Sequence, residues 1–175
     1  MKEVKERAAA VRMLVLDVDG TLTDGGIYIG ATGELFKRFD IKDGLGIALW
    51  HRAGGKTAVI TGRTSPILEA RARELKITAL WQGRLDKAVA YQELKERYGV
   101  TDEAIAYIGD DLVDLPVMQQ AGFAAAPADA VPEVRQRAHF VASHRSGNGA
   151  VREIIEFILQ AQGRWEEMVA RFLIS

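Results

Sequence analysis

The sequence contains no cysteine, which excludes a disulfide framework, a thiolate zinc site and a thiol nucleophile. It has no excess of either charge. Lys and Arg number 23 against 24 Asp and Glu, a formal net charge of -1, so there is no general field for DNA, RNA or an anionic membrane. No apolar run approaches the ~20 residues of a membrane helix. The N-terminus, M-K-E-V-K-E-R-A-A-A, bears acids and lacks the apolar centre of an export signal, which makes the cytoplasm the expected compartment. Its 3 histidines, His51, His139 and His144, are scattered without ligand spacing and read as structural. What remains is ordinary for a folded domain, with 48% hydrophobic and 27% charged residues. A chain of 175 residues suits one domain and buries about 70% of the surface its unfolded form exposes.

Short apolar runs alternate with amphipathic segments of helix length. Val11–Leu16, Thr57–Ile60, Ile105–Ile108 and Phe140–Val141 read as strands; the first three are almost continuously apolar, as parallel strands covered on both faces are. Helices are expected over Gly44–Ala53, Pro66–Leu75, Leu85–Tyr98 and Leu112–Ala121, with stops at Gly54 and Gly99 and a short turn capped by Thr101 or Asp102. The alternation predicts a three-layer α/β fold with a Rossmann-like parallel sheet. Residues 27–39, I-Y-I-G-A-T-G-E-L-F-K-R-F, read as a β-hairpin leaving the sheet after the first strand. The last segment, Val151–Ile174, repeats apolar residues at helical spacing and is expected to pack on its own domain. Gly163 is a candidate break, after which Arg164–Ser175 could pack elsewhere.

Polar residues collect where the strand candidates end, and ligands of open parallel sheets bind there. The first strand ends in D-V-D-G-T (17–21), two acids on one side of an extended chain followed by a turn. The third ends in G-D-D-L-V-D (109–114). One acid would suffice to cap the following helix, whereas Asp110, Asp111 and Asp114 beside Asp17 and Asp19 would repel one another without a cation between them. Oxygen donors with no histidine or cysteine favour Mg²⁺. The second strand ends in I-T-G-R (60–63), where a hydroxyl and exposed amides suit phosphate oxygens. Lys87 opens a helix, against the helix dipole, which points to an anion as its partner; a solvated surface lysine is the plainer alternative.

Together these four pieces resemble the haloacid dehalogenase-like phosphatase superfamily, in order and spacing. Likeness along nearly the whole chain extends to the 3-deoxy-D-manno-octulosonate 8-phosphate phosphatases, through T-D-G-G-I-Y (23–28), F-D-I-K-D-G-L-G-I (39–47), T-G-R-T-S (61–65), Q-G-R-L-D-K (82–87), G-D-D-L-V-D-L-P-V-M (109–118) and G-N-G-A-V-R-E (147–153). The resemblance implies one capless hydrolase domain over residues 1–175, hydrolysing that eight-carbon sugar phosphate in lipopolysaccharide precursor synthesis. It implies Asp17 as nucleophile, Asp19 as acid and then base, and Mg²⁺ on Asp17, the Asp19 carbonyl and Asp110. Thr61, Gly62 and Lys87 would bind phosphoryl oxygens, with Asp111 on the substrate side and Asp114 behind the ligands. Arg63, Arg71 and the loop Asp40, Ile41, Lys42, Asp43 and Gly44 are associated with substrate. Arg63 favours the eight-carbon over a nine-carbon keto-deoxy sugar phosphate. Arg145, Gly147 and Gly149 resemble the family's glycine-rich junction, or are simply a surface loop. Neither interval between motifs can hold a cap, so a homotetramer in which a neighbour closes the pocket is implied, with the hairpin as assembly element.

Two readings of other classes compete. A phospho-accepting receiver domain usually pairs adjacent acids and places its acceptor Asp before the Thr and Lys, unlike D-x-D here with the second acidic cluster after Lys87. A silent module of the same fold would not fill every catalytic position.

Overall fold

The computed structural model describes residues 2–173; Met1, and Ile174 and Ser175 of the expected C-terminal segment, lie outside the described residues. The strands are Met13–Leu16 (β1), Tyr28–Gly30 (β2), Gly33–Phe36 (β3), Lys56–Ile60 (β4), Ala79–Trp81 (β5), Ile105–Ile108 (β6), Phe123–Ala126 (β7) and Phe140–Val141 (β8). The helices are Lys2–Ala10 (α1), Ile41–Arg52 (α2), Pro66–Glu74 (α3), Lys87–Tyr98 (α4), Leu115–Met118 (α5), Pro132–Arg135 (α6), Ala150–Ala161 (α7) and Trp165–Ala170 (α8). Six strands form one parallel sheet in the order β5-β4-β1-β6-β7-β8, and β2 and β3 form the separate antiparallel hairpin. This is the expected three-layer α/β fold.

The two-residue period of the strands builds the layers. Leu14 and Leu16 of β1 join one core with Ile47 and Trp50 of α2 and Ile154, Ile155 and Ile158 of α7. Met13 and Val15 join the opposite core with Tyr91 and Leu94 of α4 and Val117 and Met118 of α5. Because both faces are covered, the strand reads as an unbroken apolar run. The chain moves outward through β4 and β5, returns to β6 beside β1, then moves outward through β7 and β8. The carboxyl ends of β4, β1 and β6 are therefore neighbours at a topological switch, where such sheets bind ligands.

Several elements differ from expectation. Helix α1 was not anticipated, and its last turn, closed by the Val11 amide on Ala8 O at 3.3 Å, delays the first strand to Met13. Helix α2 starts at Ile41, not Gly44, because the Asp40 carboxylate accepts the Lys42 amide at 2.6 Å; residues 40–44 are a cap and first turn instead of a free loop. The helix expected over 112–121 is a 3₁₀ turn, Leu112–Asp114, followed by the short α5. Here the Asp114 side chain folds back onto the amides of Asp110 and Asp111. Strands β5 and β7 and helix α6 were also unexpected. The C-terminal segment breaks at Gly163 as anticipated, and α8 returns to the same core through buried Met168. The Thr21–Thr61 interval holds the hairpin, α2 and β4, and the Thr61–Lys87 interval holds α3 and β5. No cap domain is inserted among the described residues.

Candidate active site

Asp17 extends β1 by one residue, its amide donating to Ile108 O of the neighbouring β6 at 3.0 Å. Its buried carboxylate accepts from Lys87 Nζ at 2.6 Å. Lys87 heads α4 because Asp86 caps that helix, taking the Ala88 and Val89 amides at 3.1 and 3.3 Å. The ammonium also reaches Asp114 Oδ1 at 2.7 Å. Burial alone would lower the Lys87 pKa, but the charges of Asp17 and Asp114 outweigh it and hold the group above its usual range. The expected phosphate ligand is a firmly charged cation.

Asp114 is the hub behind the site. Its Oδ1 accepts from Lys87 and from the Tyr107 hydroxyl at 2.6 Å, and its Oδ2 accepts the amides of Asp110 and Asp111 at 2.9 and 3.1 Å. Across the pocket, Asp110 Oδ1 accepts from the Thr21 hydroxyl at 3.3 Å. Gly20 lets it come so close: a Cβ there would lie 2.1 Å from Asp110 Oδ2, and its φ of +93° suits glycine. Burial, then the charges of Asp17 and Asp114, pushes Asp110 up to about 8, and burial pushes Asp17 up to about 6 against the pull of Lys87.

Asp17, Asp110 and Asp114 each place an oxygen within 4.8 Å of the others. Both Asp114 oxygens are already engaged, so Asp17 and Asp110 are the pair open to a cation. The donors are all oxygen, which fits a hard divalent ion such as Mg²⁺.

A cavity of about 170 Å³ gathers Asp17, Asp19, Thr61, Gly62, Arg63, Lys87, Asp110 and Asp111 from the sequence reading, together with Arg84, Leu85 and Val113, which that reading passed over. Asp40, Ile41, Lys42, Gly44 and Arg71 gather elsewhere, at the start of α2. Arg71 pairs with Glu74 at 2.9 Å and lines a second cavity of about 370 Å³ with Ile41, Lys42 and Gly44. Its buried Nε has no partner. Asp43 faces neither cavity. It is buried, and accepts the amides of Arg152 and Gly149 at 2.8 and 3.4 Å where α7 begins.

The profile of the haloacid dehalogenase-like hydrolases matches residues 60–154. The 3-deoxy-D-manno-octulosonate 8-phosphate phosphatase of Yersinia pestis is 48% identical over 164 residues, 94% of this chain and 88% of that protein. The chain belongs to the 3-deoxy-D-manno-octulosonate 8-phosphate phosphatase family. The crystal structure of the Yersinia enzyme superposes with a TM-score of 0.91, covering 94% of this chain and 89% of that one. The Moraxella catarrhalis enzyme, solved with magnesium, phosphate and KDO, is 37% identical, with a TM-score of 0.95 over 98% and 99% of the two chains.

This member of the octulosonate phosphatase family is therefore a phosphatase of the haloacid dehalogenase-like class. In it the histidines serve the scaffold: His51 bonds Thr57 Oγ1 at 2.9 Å, His139 Nδ1 accepts the Ala124 amide at 2.8 Å, and His144 pairs with Glu153 at 2.7 Å. Arg145 pairs with Asp129 at 3.3 Å. At Gly147 any Cβ would strike the Thr23–Asp24 backbone, and Gly149 caps α7. Sequence reasoning missed two site neighbours on the hairpin. Lys37 forms an ion pair with Asp19, and Glu34 lies 3.1 Å from Lys37. Their only sequence signal is that Glu34 and Lys37, with Arg38, are the charged residues of the hairpin segment 27–39.

Proposed function

We propose that this phosphatase hydrolyses 3-deoxy-D-manno-octulosonate 8-phosphate to the free sugar acid and phosphate, in lipopolysaccharide precursor synthesis in the cytoplasm. The observation that carries the reading is the Asp17 carboxylate at the end of β1, held by Lys87 on one oxygen and facing Asp110 across a small pocket. A free Asp17 oxygen attacks phosphorus in line, and the bond to the sugar oxygen breaks to leave a phosphoaspartyl group. Asp19 gives its proton to the departing oxygen. The Asp19 carboxylate then takes a proton from water as that water attacks phosphorus, releasing phosphate and restoring Asp17. Lys87, the Thr61 hydroxyl and the Gly62 amide hold the phosphoryl oxygens. Asp17, Asp110 and the Asp19 carbonyl would hold Mg²⁺, which when bound offsets the charge of the phosphoryl group.

Substrate preference rests on Arg63, a guanidinium at the pocket rim suited to a carboxylate. Initial rates over a panel of 2-keto-3-deoxy sugar phosphates, with and without Mg²⁺, test it: the eight-carbon phosphate should give the highest kcat/KM, and a higher value for the nine-carbon phosphate refutes the assignment. Asp17→Asn should abolish turnover of any phosphate ester.

The chain is one hydrolase domain, since both cores share a single sheet, and it works as a homotetramer. The hairpin supports this, because Ile27, Ile29, Leu35 and Phe36 are exposed in the single chain, an apolar patch of the kind that marks interfaces. Arg71, with its unpartnered Nε and its own cavity, would then serve the pocket of a neighbouring subunit. Light scattering that finds a fully active monomer would remove this part of the reading. No described helix is long and apolar enough to cross a membrane.

A further inference from the structure

The hairpin is inverted relative to ordinary burial. Ile29 is 73% and Leu35 65% exposed, yet the Lys37 side chain just beyond β3 is 4% exposed. Lysine is among the residues least often buried, and an ammonium removed from water needs well-placed partners. Lys37 has two: its Nζ donates to Asp19 Oδ1 and lies 3.1 Å from Glu34 Oε1. Glu34 accepts in turn from the Ser65 hydroxyl and from Arg63 at 3.3 Å. Arg63 Nε lies 3.6 Å from Asp19 Oδ2. Two cations and two carboxylates thus close a ring, to which the hairpin contributes Lys37 and Glu34 and the strand ends contribute Asp19 and Arg63.

The ring treats the two Asp19 oxygens differently. Oδ1 is hydrogen-bonded to Lys37, whereas Oδ2 meets Arg63 only beyond hydrogen-bonding distance. We infer that Lys37 is a positioning residue for the proton-transfer steps: it anchors Asp19 through Oδ1, so that Oδ2 is the atom that gives the proton to the sugar oxygen and later takes one from water. Glu34 holds Lys37 in place. This inference rests on the assignment of Asp19 as the acid and base.

Leaving-group dependence separates positioning from mere support of the hairpin. When Asp17 attacks, a sugar or phenol oxygen departs readily only if protonated, whereas p-nitrophenolate departs without help. The ratio kcat/KM reports the steps through departure of that group, so the later attack by water does not enter it. In the intact Mg²⁺-loaded enzyme, Lys37→Met should lower kcat/KM about 100-fold for the sugar phosphate and for phenyl phosphate, the lower end of what general acid catalysis contributes. The value for p-nitrophenyl phosphate should stay nearly level. Phenyl phosphate lacks the sugar, so a lost sugar contact cannot imitate the effect. Lys37→Arg, which keeps the charge, should recover most of the loss. Glu34→Gln should give the same selective loss to a smaller extent, and it decides the question if Lys37→Met does not fold. Equal losses on all three esters, or none on any, overturn the inference. Asp19→Asn run alongside keeps the two assignments apart: if it too fails to discriminate among the esters, the acid/base assignment itself is wrong.

Discussion

Asp114→Asn strikes the site at its most connected point. The carboxylate accepts four bonds, from Lys87, Tyr107 and the amides of Asp110 and Asp111. Asparagine has one acceptor oxygen and a nitrogen that only donates. If its nitrogen points toward Lys87 it meets an ammonium; if reversed, it meets the two amides. Either orientation sets donor against donor. A bond to a charged group contributes ~1.5–3 kcal/mol, and a buried donor without a partner costs ~1–3 kcal/mol. An opposing gain comes from removing one of the negative charges that raise Asp110 and Asp17. The net expectation is a loss of about 2–4 kcal/mol in unfolding free energy, read by urea denaturation without Mg²⁺ as a lower midpoint with an unchanged slope. If Asp114 orients its neighbours from behind the ligands, as proposed, Mg²⁺ affinity should fall about 10- to 100-fold and not vanish. Tyr107→Phe should cost less in the Asn background than in the native protein, since the two share one bond. An Asn variant with native stability and native Mg²⁺ affinity would refute the hub.

Other expectations follow from the same geometry. Asp17 and Asp110 are raised to about 6 and about 8 in the metal-free protein, and Mg²⁺ needs them ionised. Calorimetric affinity for Mg²⁺ should therefore rise with pH through that window and level off above it; a flat profile would contradict the assignment of these two as ligands. Gly20→Ala places a Cβ 2.1 Å from Asp110 Oδ2 at a φ of +93°, which should cost about 1–3 kcal/mol in strain alone and abolish the Mg²⁺-induced rise in Tm. Asp43→Ala removes the acceptor of two amides at the start of α7, each worth ~1–3 kcal/mol when left unpaired. It should lower stability with little change in KM; a raised KM at native stability would instead make Asp43 a substrate contact.

Much of this was legible in the sequence because parallel strands and their carboxyl ends leave local marks. Three of the six sheet strands were continuous apolar runs closed by Asp, Thr or Gly, and those closures carry Asp17, Thr61 and Asp110. What escaped was decided by neighbours distant in the chain. Phe123–Ala126 is rich in alanine, a helix former, and is a strand only because β6 and β8 flank it. Ala79–Trp81 is a three-residue edge strand with no period to read. Helix α1 has a mostly polar sequence and is fastened by Arg7 reaching Gly122 O at 3.2 Å, across 115 positions. Asp43 stands in a motif associated with substrate, yet its amide partners belong to a helix more than a hundred residues later. Lys37 and Glu34 look like the solvated charges of a hairpin, and only the fold brings Asp19, Arg63 and Ser65 against them.

The site divides its precision between two kinds of support. Asp17 and Asp110 follow adjacent strands whose register pairs Leu16 with Ile108, so their separation is fixed by the sheet. Shifting that register by one residue would turn every side chain of β1 to the opposite core, at the cost of the whole fold; the pair proposed to hold the cation is therefore carried by the most costly feature to disturb. Lys87 and Asp19 are held differently. Their charges are positioned by other side chains, Asp114 for one and Lys37 with Arg63 for the other, which single substitutions can retune without touching the sheet. Phosphoryl transfer is common to all substrates of such an enzyme, whereas recognition and protonation of the leaving group depend on which sugar departs. The sheet thus supports the invariant chemistry, helped by Asp114 at Lys87, and of the two adjustable supports only the one at Asp19 lies under the part that specificity must alter.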